Sequence, residues 1–196
     1  TDSFERTICT GCLPEEVLVC STGIIGVPLP LEKIAVQVPS MIWQTGAEAD
    51  LQAAQAIMTT DLVPKYFSVS AKIDGKNVTI GGMVKGSGMI GPDMGAAPHA
   101  TMLAFLTTDA SMEKVLLQQL LESAVDQSFN SVTIDGDTSS NDTCLLLANG
   151  ASGVVINDHH KVQFAELLQT VCTELAKKVA ADGEGATHLI EIQIHG

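Results

Sequence analysis

The stretch that most restricts what this chain can fold into is YFSVSAKIDGKNVTIGGMVK, residues 66–85. Apolar and polar residues alternate on both sides of Asp74-Gly75. Alternation sends successive side chains to opposite faces of a strand, and Asp-Gly readily takes the positive φ angles that a two-residue turn between antiparallel strands requires. A hairpin is expected here, so the fold must contain a sheet with at least one antiparallel pair. The remaining segments either extend that sheet or cover it.

EEVLVC (15–20) reads as a short buried strand, and STGIIGVPLP after it as a turn-rich loop. LEKIAVQVPSMIWQ and AEADLQAAQAIMTTD carry apolar residues at helical spacing, with Pro39 limiting the first and Gly46 separating the two. GSGMIGPDMGAAPH is a loop whose glycines and prolines exclude regular structure, and ATMLAFLTTD is an apolar strand. SMEKVLLQQLLESAVDQSF, opened by a serine N-cap, reads as an amphipathic helix. SVTIDGD and DTCLLLANG are expected as short strands around an acidic loop. DHHKVQFAELLQTVCTELAKKVAADG is expected as a long helix from near Asp158 to before Gly183, and HLIEIQIHG as a last alternating strand. Helices interleaved with a hairpin and single strands imply an α+β protein, with mixed or antiparallel sheets covered by helices.

At 196 residues, one domain is expected, because a chain of this length can bury one sizeable core. The net charge of −13 disfavours a nucleic-acid or anionic-lipid partner. No apolar run approaches a membrane span, and TDSFERTICTG lacks the features of a secretory signal, so the chain reads as soluble. Five cysteines, three of them (Cys20, Cys144, Cys172) in apolar runs, fit a reducing compartment. Cys9 and Cys12 form a C-x-x-C without the second pair that a four-ligand zinc site needs. DGDTSSND (135–142) fails the EF-hand pattern at Ser140 and Leu146; Asp135, Asp137 and Asp142 are better read as bonding their own loop backbone. His159 with His160 and His188 with His195 make no metal set.

Thr101 stands where a flexible loop meets an apolar strand. Alone it is a strand-forming residue, but a threonine becomes a nucleophile if the bond before it is cut, since its freed α-amine then serves as the adjacent base. The small residues of GAAPHA would permit such a cut. Thr22 and Gly23 in CSTGIIG offer backbone N–H groups suited to an oxyanion, or form an ordinary turn. Lys85 among glycines is either a solvated cation or a partner for a carboxylate. Thr59, Thr60 and Asp61 end a helix and could equally cap the next turn. Glu184, between two glycines, is a surface loop residue or a partner for an ammonium group.

Six stretches taken in order resemble one family: VLVCSTGIIGVPLP, AIMTTD, MVKGSGMIGPDM, ATMLAFLTTDA, SFNSVTIDGDTSSNDT and DGEGATHLIEI. The family is that of the ornithine acetyltransferases of arginine biosynthesis, also called glutamate N-acetyltransferases, which belong with the N-terminal-nucleophile enzymes. The resemblance implies an αββα sandwich in which residues 1–196 form one catalytic core. It implies self-cleavage at Ala100–Thr101, giving an α-chain-like part (1–100) and a β-chain-like part (101–196). Thr101 would accept the acetyl group of N-acetylornithine and pass it to glutamate. Thr22 and Gly23 would form the oxyanion hole, while Thr59, Thr60, Lys85 and Glu184 would bind substrate. No metal and no prosthetic group is implied, although acetyl-CoA can serve as a co-substrate. The α and β chains would associate into a heterotetramer-type assembly, in the cytoplasm or, in a eukaryote, in mitochondria or plastids.

Three departures accompany the resemblance. Family members are about twice as long; GAAPH intervenes where the family runs from GPDM directly into ATML; and His188 stands where lysine is common. Two further readings share the same residues. One is a binding or assembly module that neither cleaves nor transfers, and the other is an amide hydrolase in which water replaces glutamate as acceptor.

Overall fold

The hairpin forms as expected in a computed structural model that describes residues 13, 16–42, 44–91, 101–139 and 141–193. Strand β1 (Lys65–Ile73) pairs antiparallel with β2 (Lys76–Lys85), Ile73 facing Lys76 across the turn. Asp74 and Gly75 take φ angles of 50° and 72°, the conformation that joins twisted strands with two residues. Strand β3 (Leu103–Thr108) pairs antiparallel with β2 on its other side. Strand β4 (Thr143–Ala148) pairs parallel with β3, giving a mixed sheet in the order β1-β2-β3-β4.

The chain divides into two compact units, Thr1–Asp50 and Leu51–Gly196. In the first, α1 (Leu31–Gln37) gives way to a 3-10 turn at Val38–Ser40 containing Pro39. Helix α2 (Ala47–Ala56), of which residues 47–50 fall in this unit and 51–56 in the second, opens with Glu48 and Asp50 in its first turn, where acidic side chains favour the helix dipole. The strand expected at 15–20 does not form: residues 17–20 join no sheet, and Leu18 and Val19 are 60% and 65% exposed. Residues 14 and 15 lie outside those described.

In the second unit the parallel pairing of β3 and β4 requires a crossover, which α3 (Lys114–Asp126) supplies. Helix α4 (Lys161–Ala181) packs on β1 and β2 and against α3. The core lies between this helical layer and one face of the sheet: Val78, Ile80, Val84, Ala104, Leu106 and Leu146 meet Phe164, Leu168, Val171, Leu175 and Val179. The opposite face carries exposed Ser68 and Ser70, the latter hydrogen-bonded to Thr79 across the hairpin.

Gly82 faces the helices between Phe67 and Leu106, and its missing side chain lets α4 approach. A Cβ there would collide with Leu106 Cδ2 and come within 3.1 Å of the Phe105 carbonyl and 3.2 Å of Leu175 Cδ1. Gly82→Ala is expected to destabilise the fold by about 1–3 kcal/mol, read as a lower urea midpoint.

Three local expectations are corrected. Helix α3 starts at Lys114 with Glu113 as N-cap, because Ser111 is engaged elsewhere in a parallel bridge to Val155. SVTIDGD forms a 3-10 turn at Phe129–Ser131 and then a loop, whose Asp135 is committed to other backbone groups. Residues 188–193 join no sheet among the described residues, although Glu191 pairs with Lys177 at 3.0 Å on the surface. His195, Cys9, Cys12 and Ser140 lie outside the described residues.

Candidate active site

Strand β2 ends by carrying Lys85 into the interior, where it is 1% exposed. The next residues, Gly86 to Gly91, form a loop that touches most of the residues singled out in the second unit. Gly86 has φ 152°, and a Cβ on it would lie 3.0 Å from Ile90 Cδ1 and 3.5 Å from Met102 Cα, so the chain turns here only without a side chain. Thr101 lies against this loop. Its Oγ1 stands 2.8 Å from the Gly88 carbonyl and 2.7 Å from the Met89 carbonyl, which share its one hydrogen. The next residue is fixed too, the Met102 N–H donating to Asp142 Oδ1 at 2.7 Å.

Glu184 meets the same loop from the end of α4. Its N–H donates to the Ser87 carbonyl at 2.7 Å, and a Cβ on Gly88 would run into its carboxylate. The side chain remains exposed. Thr59 and Thr60 are exposed as well. Thr59 donates its N–H to Asp61 Oδ2 at 3.0 Å, and the other oxygen of Asp61 receives the Gly86 N–H at 2.8 Å. The loop 86–91 therefore gathers Lys85, Thr101 and Glu184, with Thr59 joined through Asp61.

A buried ionic cluster supports this arrangement. Lys65 Nζ lies 2.5 Å from Asp61 Oδ1 and 2.5 Å from Asp182 Oδ2, and is itself 1% exposed. Asp182 also receives the Leu62 N–H at 3.0 Å, while its carbonyl accepts the Ser87 hydroxyl at 2.8 Å. Burial is the largest influence on Asp61 and disfavours its charge. Bonds from Gly86, Lys65 and Thr59, with the charge of Lys65, together outweigh burial and hold the carboxyl below its ordinary range. Burial likewise dominates at Lys85 and holds it below the usual lysine range, opposed by the charges of Asp61 and Asp142 and reinforced by that of Lys65. The Lys85 ammonium thus stands in a low-dielectric interior near the carboxylates of Asp61 and Asp142.

Lys65 and Asp182, which sequence reasoning did not single out, form the ionic cluster next to the loop 86–91, and Asp135 contacts the same loop. Asp135 was expected to bond its own loop, and one of its bonds does so, to the Asp137 N–H at 3.1 Å. Its other two reach across to Met89 and Ile90, and Asp142 Oδ1 receives the Met102 N–H. Burial pushes the Cys144 and Cys172 thiols up, the latter to about 12, which makes either a poor nucleophile at neutral pH. Among the described residues no three His, Cys, Asp or Glu side chains are placed to hold a metal ion, and no helix is long and apolar enough to cross a membrane.

Thr22 and Gly23 lie in the first unit, in a segment without regular secondary structure before the turn at Ile24–Val27. Thr22 is half-buried and Gly23 exposed. Ala100 lies outside the described residues, as does GAAPH.

The profile of the ArgJ family matches residues 4–196. The chain is 49% identical over 189 residues to a protein of Thermosynechococcus vestitus, covering 95% of this chain and 44% of that one. A protein of Symbiobacterium thermophilum is 47% identical over 189 residues, with 95% and 46% covered. Both are named arginine biosynthesis bifunctional protein ArgJ. A crystal structure of a protein of that name from Bacillus halodurans is similar to 42% of this chain and 40% of its own, at 40% identity and a TM-score of 0.41. The chain thus spans somewhat less than half the length of the curated relatives it matches.

Proposed function

Because the chain belongs to the ArgJ family, we propose that it moves an acetyl group from N2-acetyl-L-ornithine to L-glutamate through an acetyl ester on Thr101. The protein first matures by cutting its own Ala100–Thr101 bond. In that step the Thr101 hydroxyl attacks the Ala100 carbonyl carbon and the amide C–N bond breaks. The hydroxyl proton ends on the freed amine, and water hydrolyses the resulting ester. In turnover, Thr101 Oγ attacks the acetyl carbon of acetylornithine. The new N-terminal amine takes the hydroxyl proton and returns it to the departing ornithine nitrogen. Glutamate then reverses the sequence.

The observation that carries this reading is the placement of the Thr101 hydroxyl at 2.8 and 2.7 Å from two carbonyls of the loop that begins beside buried Lys85 and holds Glu184. A hydroxyl anchored to a loop that also meets Glu184 and follows Lys85 in the chain suits a nucleophile that handles amino-acid substrates. Lys85, Thr59, Thr60 and Glu184 bind the charged and polar ends of the substrate, and Thr22 and Gly23 stabilise the oxyanion. The chemistry calls for no metal or prosthetic group, and acetyl-CoA enters only as a second donor. The two chains stay associated after the cut, in an assembly of heterotetramer type, and the cytoplasm is the working compartment.

Denaturing mass spectrometry of the purified protein should show two pieces divided at Ala100–Thr101. Labelled acetyl should then pass from acetylornithine to glutamate. An uncut mass without transfer would favour the assembly-module reading, and release of free acetate with glutamate present would favour the hydrolase.

A further inference from the structure

Two peptide planes hold the Thr101 hydroxyl, and one side chain holds both planes from behind. The Gly88 carbonyl belongs to the same planar unit as the Met89 N–H, and the Met89 carbonyl to the same unit as the Ile90 N–H; in a trans peptide the two groups point in opposite directions. The carbonyl ends face Thr101 Oγ1 at 2.8 and 2.7 Å. The N–H ends face Asp135, Met89 N–H donating to Oδ2 at 2.6 Å and Ile90 N–H to Oδ1 at 3.1 Å. Rotating either plane breaks a bond to Thr101 and a bond to Asp135 together.

The loop needs this hold. Met89 stands at φ 54°, a left-handed conformation that a residue with a Cβ adopts only when its surroundings impose it. The Ile134 N–H adds a bond to the Ile90 carbonyl at 2.9 Å, so the segment bearing Asp135 is itself laced to the loop. A charged acceptor on each N–H also polarises the peptide and makes its carbonyl a stronger acceptor for the threonine hydroxyl.

We infer that Asp135 is a positioning residue for the nucleophile, orienting the Thr101 hydroxyl through the Gly88–Met89 and Met89–Ile90 peptides. The inference rests on Thr101 being the nucleophile. Asp135 acts through the loop rather than on substrate, so its loss should slow the chemistry and spare binding.

Asp135→Asn replaces one acceptor oxygen with an NH2 group facing an N–H, and so releases one plane. In the full protein it should slow Ala100–Thr101 cleavage and lower kcat for acetyl transfer, each by about 10- to 100-fold, with KM for acetylornithine within about twofold of wild type. Met89→Val is the second variant: a β-branched side chain resists φ 54° while Asp135 stays in place. It should reproduce the same split between kcat and KM. Wild-type rates in Asp135→Asn, or in Met89→Val should the first not fold, overturn the inference, as does an effect on KM alone. A wild-type protein that neither cleaves nor transfers overturns the nucleophile reading beneath it, and that result is visible before any variant is made.

Discussion

A Thr101→Ala protein is expected to remain one uncut chain and to lose acetyl transfer, with kcat falling on the order of 10⁴-fold or more. Alanine leaves no oxygen to attack Ala100 and none to carry the acetyl group, so both readouts fail for one reason. The fold should tolerate the change. Thr101 is half-buried, the bond from Met102 N–H to Asp142 is unaffected, and what is lost is one hydroxyl shared between two carbonyls. That is worth about 0.5–1.5 kcal/mol, too little to unfold the protein. Thr101→Ser keeps the hydroxyl and its carbonyl partners, so it should keep both reactions at reduced rates. Intact mass, N-terminal sequencing and labelled transfer check all three proteins, and transfer retained by Thr101→Ala would refute the role of Thr101.

Sequence made visible those parts of this molecule whose signals are local. Asp74-Gly75 implied its turn because the φ angles it needs are a property of two residues. The leucine spacing of α3 and α4 implied helices because one face repeats every turn. The failures share a different cause. The stretches 15–20, 131–137 and 188–196 all read as strands from their apolar pattern, yet the described residues of each join no sheet, because a strand is completed by a partner that its own residues do not specify. Ser111 looked like a helix cap until Val155, 44 positions away by number, claimed its backbone.

The site divides in the same way. Thr101, Lys85 and Glu184 stand out as candidates because each sits in a short stretch with a recognisable setting, and the loop 86–91 lies next to all three. Lys65 was missed because a lysine reads as a surface residue, and the acid that completes its burial, Asp182, stands 117 residues further along. Asp135 was noticed, but for its local bond to Asp137, while its bonds to Met89 and Ile90 span 46 and 45 residues. Residues that act by supporting others leave little trace in sequence, since their partners are fixed only by the fold.

Lys65 therefore supplies the second large effect. Replacing it with methionine, which is close in size and uncharged, should destabilise the protein by about 3–5 kcal/mol at neutral pH. The Lys65 ammonium is the cation 2.5 Å from both Asp61 and Asp182, and its removal leaves two carboxylates buried against one another. The pH dependence distinguishes this mechanism from simple loss of packing. In the wild type, Asp61 is held below its ordinary value of 3.8, so it contributes stability above that value which is lost as pH falls through the lowered one. In Lys65→Met the bond and charge of Lys65 no longer oppose burial, so the Asp61 carboxyl moves up, and the stability it contributes above its folded value shrinks. The gap between wild type and variant should accordingly be widest near neutral pH and narrow as urea unfolding is repeated from about pH 7 to about pH 4, as Asp61 takes up its proton. Because Asp61 also holds the Gly86 N–H, the same variant should loosen the start of the loop that presents Thr101, lowering kcat even where the protein remains folded. A gap that does not change with pH would mean that the carboxylates find other cations or water, and that the cluster is not the support for the site that its geometry implies.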